Sequence, residues 1–235
     1  MKKIIFLNLF FLFASVLFAQ DATTPNTSGN TTPAVQQAVP ATPAVRKKNG
    51  WDYYSEGNYH ASIRSLEEER KLFPGRINIY IILGWNYKAL KDYPEMERIS
   101  IEGYNINPIH VNILKNLGEA CYFQNKYSDS IKYFEKYAKI KNKWQDPYTY
   151  SMYYYLGDSY YNIGAYYKAD TALSAANILK PNNVQNLLLL GKVNEKLKNY
   201  KQAMKHYEAL LKLEPANMEA RNAYEQLKKT QSNDS

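Results

Sequence analysis

The sequence is poor in the residues that most often carry covalent and metal chemistry. It has one cysteine, Cys121, and three histidines among its 235 residues. A single cysteine excludes an internal disulfide framework. The histidines, His60, His110 and His206, are too far apart in the chain for any two to have metal-ligand spacing, and no phosphate-binding loop, H-E-x-x-H motif or nucleophile elbow accompanies them. We therefore predict a non-enzymatic protein that needs neither a cofactor nor a metal.

A strong excess of charge of one sign is also missing. Lysine and arginine total 30 residues against 22 aspartates and glutamates, which gives a formal net charge of +8. The lysines are spread along the chain, and no RNA- or DNA-binding motif accompanies them. This distribution favours a solvated basic surface and no nucleic-acid partner. Attraction to acidic partners or to anionic surfaces is the weaker alternative.

The one long apolar run lies at the N terminus. Lys2 and Lys3 precede an almost wholly apolar stretch at residues 4–18, and Ala19 is the small residue expected at a cleavage site. The run is shorter than the roughly 20 residues needed to span a bilayer. Residues 1–20 are therefore predicted to be a cleavable signal peptide. Since no cysteine follows for lipid attachment, we expect a periplasmic or secreted protein with no transmembrane segment after cleavage.

Residues 21–45 have a different composition, rich in proline, threonine, alanine and glutamine. Such a segment cannot bury enough apolar surface to offset the entropy lost on ordering. We predict a disordered linker here. A short disordered tail is predicted at residues 230–235.

The rest of the chain repeats a fixed spacing. Three sets of residues recur at intervals of 34, with a single step of 39 in the first two sets: glycines at Gly50, Gly84, Gly118, Gly157 and Gly191; tyrosines at Tyr59, Tyr93, Tyr127, Tyr166 and Tyr200; and prolines paired as Pro74 with Pro108 and Pro181 with Pro215. Because independent markers share one period and one slip, the chain is predicted to be a repeat array.

One unit shows how the spacing predicts structure. Leu156, Gly157 and Tyr160 are spaced to lie on one face of a helix, and the glycine allows close approach of a second helix. Ala169 belongs to the apolar stripe of that second helix, and Pro181 ends it, because proline cannot continue the hydrogen-bond ladder. Cys121 occupies a core-facing position of the same pattern and is predicted to be a buried thiol.

This pattern of Leu-Gly, Tyr, Ala and Pro at a period of 34 resembles the tetratricopeptide repeat family. The resemblance implies an all-α fold, a right-handed solenoid of five helix-turn-helix repeats with a C-terminal capping helix, in which stacked hairpins share one core. The expected domain covers residues 46–229. Its repeats are placed at 43–76, 77–110, 111–144, 150–183 and 184–217, and its cap at 218–229.

The step of 39 arises from five extra residues, 145–149. Asp146 and Pro147 are suited to cap and open the following helix, which would gain an extra turn. A plain loop insertion is the favoured interpretation, and the longer helix, which would alter the stacking, is the alternative.

In the family resembled, the first helices of the hairpins line a concave groove, with repeat positions 2, 5, 9 and 12 facing it. Carried onto this sequence, these positions give the predicted partner-binding residues Lys47, Trp51, Tyr54, Ile81, Trp85, Lys88, Lys115, Glu119, Tyr122, Tyr154, Asp158 and Tyr161. Tyr154 and Tyr161 flank Asp158 and are suited to anchor a ligand. The other surplus tyrosines, Tyr150, Tyr155 and Tyr167, are expected to pack between helices.

Some members of the family hold a carboxylate terminus with a clamp of lysines and asparagines. Here only Lys47 fits that pattern, so an acidic chain terminus is not the expected ligand. The leading hypothesis is an adaptor that docks a peptide segment or helix of another envelope protein in its groove. A glycan-binding module and a structural spacer or homo-oligomer are the alternatives, since exposed rings also stack on sugars or become buried between chains.

Overall fold

The computed structural model describes residues 46–140 and 149–233. These residues form eleven helices and no strand, which confirms the all-α class. The helices are α1 (Gly50–Ser55), α2 (Tyr59–Leu72), α3 (Ile77–Ala89), α4 (Tyr93–Ile106), α5 (Val111–Phe123), α6 (Tyr127–Ala138), α7 (Thr149–Asn162), α8 (Tyr166–Leu179), α9 (Val184–Lys196), α10 (Tyr200–Leu213) and α11 (Met218–Asn233). The predicted signal peptide, the linker and most of the five-residue insertion lie outside the described residues.

The first ten helices pair into five hairpins that follow the sequence repeats. Each helix packs against the next one along the chain, and each odd-numbered helix from α1 to α7 also contacts the next odd-numbered helix. Within the described residues, the even-numbered helices make no comparable contact with one another. The odd helices are thus the more closely spaced row, as the inner side of a curved stack must be. We call α1, α3, α5, α7 and α9 the inner row.

The repeated tyrosines and prolines mark helix ends. The second helix of each hairpin begins at a repeated tyrosine, from Tyr59 in α2 to Tyr200 in α10. Four second helices end two residues before a proline, as α8 does at Leu179 before Pro181. Proline lacks the N–H that would continue the ladder, which is the predicted reason for the stop.

The turn inside each hairpin has one backbone geometry. Five residues at the repeat spacing have a left-handed backbone: Gly57, Lys91, Asn125, Gly164 and Lys198. The N–H of the next residue donates to the carbonyl five residues back, at 2.8–2.9 Å in all five turns. The N–H of the left-handed residue donates to the carbonyl three back. This pair of bonds is the Schellman motif, which satisfies carbonyls at the end of a helix.

The interior glycines lie at close approaches between helices, as the sequence predicts. A Cβ placed on Gly118 would lie 2.5 Å from Cε1 of Phe134, and one on Gly191 would lie 2.3 Å from Cε1 of Tyr207. In both cases the neighbour belongs to the second helix of the same hairpin. At Gly84 the nearest atom is instead Nδ2 of Asn116 on the next inner helix, at 2.4 Å.

Cys121 confirms the prediction of a core thiol. Its side chain is fully buried, and its sulfur lies 3.9 Å from a carboxylate oxygen of Glu97. Burial and this carboxylate raise the pKa of the thiol to about 12. The thiol therefore stays protonated at neutral pH, which removes the thiolate that a nucleophile requires.

Two sequence predictions need correction. Helix α11 continues to Asn233, past the predicted end at residue 229 and into the predicted disordered tail. No proline or glycine follows Met218 to stop it, and the hydroxyl of Thr230 donates to the carbonyl of Gln226 at 3.1 Å. Tyr167, expected between helices, is 79% exposed because it lies on the outward side of the first turn of α8.

No helix among the described residues combines the length and apolar character that crossing a membrane requires.

Candidate partner-binding groove

The N-terminal end of the inner row carries a cluster of three aromatic rings. The ring centroid of Trp51 lies 5.7 Å from that of Tyr54 and 6.2 Å from that of Trp85, and Tyr54 and Trp85 are 5.8 Å apart. Trp51 keeps 49% of its surface exposed. Such rings offer a large contact area at a small cost in side-chain entropy.

A cavity of about 300 Å³ lies beside this cluster, between α3 and α5. Its lining residues are Tyr54, Trp85, Lys88, Ala89, Lys115 and Glu119. The ammonium of Lys88 pairs with the buried carboxylate of Glu119 at 2.8 Å, and that of Lys115 lies 5.5 Å from the ring centroid of Trp85. The indole N–H of Trp85 is buried without an acceptor among the described residues. A ligand with a hydrogen-bond acceptor would suit this end of the row, because an unpaired buried donor is costly.

In the middle of the inner row, a side-chain hydrogen bond joins helices α5 and α7. The hydroxyl of Tyr122 on α5 donates to the carboxylate of Asp158 on α7. Burial and this carboxylate raise the pKa of Tyr122 well above its usual value. The ring of Tyr155 packs against that of Tyr122 with centroids 4.6 Å apart, as predicted for a tyrosine between helices. Burial raises the pKa of Tyr155 to about 12.

A second cavity of about 240 Å³ opens between α7 and α9. Its lining residues are Tyr154, Asp158, Tyr161, Asn162, Gln185, Leu188, Leu189 and Lys192. A third cavity of about 500 Å³ shares Tyr161 and Lys192 with it and continues towards α11 through Glu195, Lys196, Tyr200, Gln226, Leu227 and Thr230. Because they share these residues, the two cavities are adjacent, and together we call them the cleft.

Polar or aromatic contacts join most neighbouring helices of the inner row and its cap. Trp51 meets Trp85 between α1 and α3, Lys88 pairs with Glu119 between α3 and α5, Tyr122 bonds Asp158 between α5 and α7, and Lys192 pairs with Glu219 of α11 at 2.6 Å. The cleft occupies the junction between α7 and α9.

The structure gathers most of the predicted residues along the inner row but corrects the placement of four. Lys47 lies in the non-helical segment before α1, since Asn49 caps that helix through a capping box with Asp52. Ile81 is 3% exposed and belongs to the core. Lys115 and Glu119 are also buried, although both line the cavity beside Trp85. The repeat positions predict which side chains of one helix face the groove, but they take no account of the next inner helix. Because neighbouring inner helices contact each other, some of these side chains are buried.

The cleft is also lined by residues of α11, a helix that the sequence predicts only to cap the core. Gln226, Leu227 and Thr230 of α11 line its C-terminal part, although α11 was expected only to cap the core. Its extra length past residue 229 brings Thr230 into the wall. No local sequence signal distinguishes a capping helix that only closes the core from one that also extends a groove.

The described residues contain no group of three or more His, Cys, Asp or Glu side chains placed to hold a metal ion. With an array of helical hairpins and a groove along its inner row, the fold and site define a helical-repeat protein. The family model of anaphase-promoting complex, cyclosome, subunit 3 matches residues 123–210. No curated protein sequence matches the chain.

Three solved structures with similar folds are distant in sequence. A crystal structure of MamA is 18% identical, with a TM-score of 0.64 over 72% of this chain and 95% of that one. MamA from Desulfovibrio magneticus RS-1 is 19% identical, with a TM-score of 0.63 over 72% and 93%. A chain of the APC/C hetero-tetramer Cut9-Hcn1 is 19% identical, with a TM-score of 0.61 over 76% of this chain and 35% of that one. Together with the repeat pattern, these similarities show that the chain has the fold of a tetratricopeptide-repeat solenoid.

Proposed function

We propose that this protein is an adaptor that holds a segment of a partner protein in the groove along its inner row. The observation that carries the proposal is the cleft at the α7–α9 junction, where Tyr154, Tyr161 and Lys192 line an open cavity. Aromatic walls with a few polar groups are typical of sites that anchor peptide side chains.

The two ends of the groove differ in chemistry, which suits a polar chain with apolar side groups. The cavity beside Trp85 offers an indole N–H that lacks an acceptor among the described residues, next to the Lys88–Glu119 ion pair, whereas the α7–α9 cleft adds the side chains of Leu188 and Leu189 to two tyrosines. An extended or helical segment could place an acceptor in the first and an apolar side chain in the second. The similar chain in the Cut9-Hcn1 hetero-tetramer also belongs to an assembly of proteins.

We also propose that the adaptor acts outside the cytoplasm, in the periplasm or as a secreted protein, on another envelope protein. This rests on the basic and apolar character of residues 1–20. Fractionation of the native host followed by N-terminal sequencing tests it. A mature chain that still begins at Met1 in the cytoplasmic fraction would contradict export.

Site-specific photo-crosslinking in the native cell tests the groove. A photoreactive amino acid is placed at Trp51, Tyr161 or Gln185 in the groove, and at Ile178 on the second helix α8 as the control. Ile178 is 79% exposed and lines none of the groove cavities. We expect one partner to be captured from the groove positions and not from Ile178. Equal capture from both faces would reject the groove.

The captured partner then allows a quantitative measurement. In a titration of the purified pair, Tyr161→Ala should weaken binding by about tenfold or more, the usual loss for an aromatic anchor. Ile178→Ala should leave the dissociation constant unchanged. Circular dichroism of both variants checks that the repeat array stays folded.

A glycan-binding function is the second candidate, favoured by the half-exposed ring of Trp51 beside Tyr54 and Trp85. A ring platform of this kind can stack on the face of a sugar. Sedimentation with purified peptidoglycan or exopolysaccharide separates the two functions, and absence of co-sedimentation removes this one.

A further inference from the structure

A second surface lies at the hairpin turns of the fourth and fifth repeats. We call it the basic turn patch. It surrounds a cavity of about 390 Å³, and its residues are Gly164, Ala165, Tyr166, Tyr167, Lys168, Lys196, Leu197 and Lys198. Three of these eight residues are lysines and none is acidic, so the patch carries a local excess of positive charge.

The lysines of the patch are poorly neutralised. Lys168 has its nearest carboxylate, that of Glu135, at 3.9 Å. Within the described residues, neither Lys196 nor Lys198 has a carboxylate within ion-pair distance, whereas Lys192 one turn earlier pairs with Glu219 at 2.6 Å. The lysines of the patch therefore leave positive charge available to an external anion.

The acidic side chains of the neighbouring helices are engaged elsewhere. Asp158 accepts from Tyr122 and from Asn162, Asp170 accepts from Asn194 at 2.8 Å, and Glu195 accepts from Tyr207. Each of these bonds lies within the helix array and holds its carboxylate there. In the part of the chain that the structure describes, none of these three carboxylates forms an ion pair with a lysine of the patch.

Exposed apolar side chains stand beside these charges. The ring of Tyr167 is 79% exposed and follows the turn directly, and Ile163, at the start of the same turn, is 49% exposed. A tyrosine, a branched aliphatic residue and several lysines together match the chemistry of a bilayer interface. There, aromatic rings lie at the headgroup level and lysines reach the phosphates.

We infer that the basic turn patch binds the surface of a bilayer containing anionic phospholipids. Charge complementarity supports this occupant, since anionic headgroups attract basic segments that lie near the membrane surface. The position of the patch also fits, because hairpin turns form an edge of the array, which a broad flat surface can reach. A peptide is better held by the groove on the inner row, whose cavities share only Lys196 with the patch.

The test measures binding of the purified full chain to vesicles of phosphatidylcholine with and without phosphatidylglycerol. The double variant Lys168→Ala/Lys198→Ala removes two charges from the patch and none from the residues that line the groove. The matched control, Lys71→Ala/Lys139→Ala, removes two exposed lysines from α2 and from the end of α6. All three proteins share the same N-terminal segment, so a difference in binding between them arises from the substituted lysines.

We expect the wild type to bind the anionic vesicles, the patch variant to bind them about tenfold more weakly, and the control variant to match the wild type. Tyr167→Ala should also weaken binding. Any of three results would overturn the inference: equal binding to both kinds of vesicle, an equal loss in the control variant, or no loss in the patch variant. The inference would also be overturned if the patch variant bound vesicles as the wild type does but lost crosslinks to an acidic protein in the cell. The patch would then be a protein-binding surface.

Discussion

The interior glycines show how a single residue sets the distance between two helices. Gly118 faces the ring of Phe134, and the space for a methyl group there is filled by ring atoms 2.5–2.7 Å from an ideal Cβ. Because the ring is fully buried, it has no free direction in which to move. A side chain at this position must separate α5 from α6.

We predict that Gly118→Ala lowers the free energy of unfolding by about 1–3 kcal/mol, the usual cost of overpacking. The overpacking must outweigh the higher helix propensity of alanine, which by itself would stabilise the variant by about 1 kcal/mol. Chemical denaturation measures the difference. Gly75→Ala is the control, since nothing lies within 4 Å of a Cβ at that position. A Gly118→Ala protein as stable as the wild type would refute the packing argument.

The repeat pattern does not predict which group accepts the hydrogen bond from each tyrosine hydroxyl. Tyr160 donates to Glu135 and Tyr207 donates to Glu195, each from one helix to another. The repeat spacing places Tyr160 in the core, but its acceptor depends on which side chain of the preceding hairpin faces it.

At the scale of the element, the hairpin turn is specified by backbone geometry more than by residue type. Lysine occupies the left-handed position at Lys91 and Lys198, where glycine stands in the first and fourth repeats. A left-handed backbone costs an ordinary residue roughly 1–2 kcal/mol. The two backbone hydrogen bonds of the turn hold the strained residue in place.

Lys91→Gly should therefore raise the free energy of unfolding by about 0.5–1 kcal/mol, after allowance for the greater flexibility of glycine in the unfolded chain. Lys71→Gly provides the opposite control, because Lys71 lies in the last turn of α2, where glycine should cost about 1 kcal/mol. Thermal or chemical denaturation compares the two. Destabilisation by both variants would show that the turn is not strained.

Over the whole molecule, buried tyrosines link stability to alkaline pH. Burial raises the pKa of Tyr150 and of Tyr155 from 10.0 to about 12, and it raises the pKa of the Cys121 thiol from 9.0 to about 12. A group whose pKa is higher in the folded state binds its proton more tightly there. Its contribution to stability is complete below the unfolded pKa and is lost as the pH rises towards the folded value.

The free energy of unfolding should accordingly fall from about pH 9, where the unfolded thiol of Cys121 ionises, and more steeply from about pH 10 to pH 12, where the tyrosines contribute. Tyr155→Phe keeps the ring and removes the ionisable hydroxyl, so its stability should fall less steeply over this range. Tyr167→Phe removes an exposed hydroxyl and is the matched control. Denaturant titrations at several alkaline pH values measure the slope, and identical slopes for wild type and Tyr155→Phe would contradict the prediction.

The spacing of glycine, tyrosine and proline was sufficient to predict the helices, their hairpins and the start of each second helix. These features depend on interactions within one repeat, such as the close approach at Gly118 and the stop at Pro181. The inner row as the site of the groove followed from the family resembled. The burial of Lys115 and Glu119 and the open junction between α7 and α9 did not follow from any single repeat. They depend on how tightly one hairpin stacks on the next, because neighbouring inner helices decide which side chains are covered and which face a cavity.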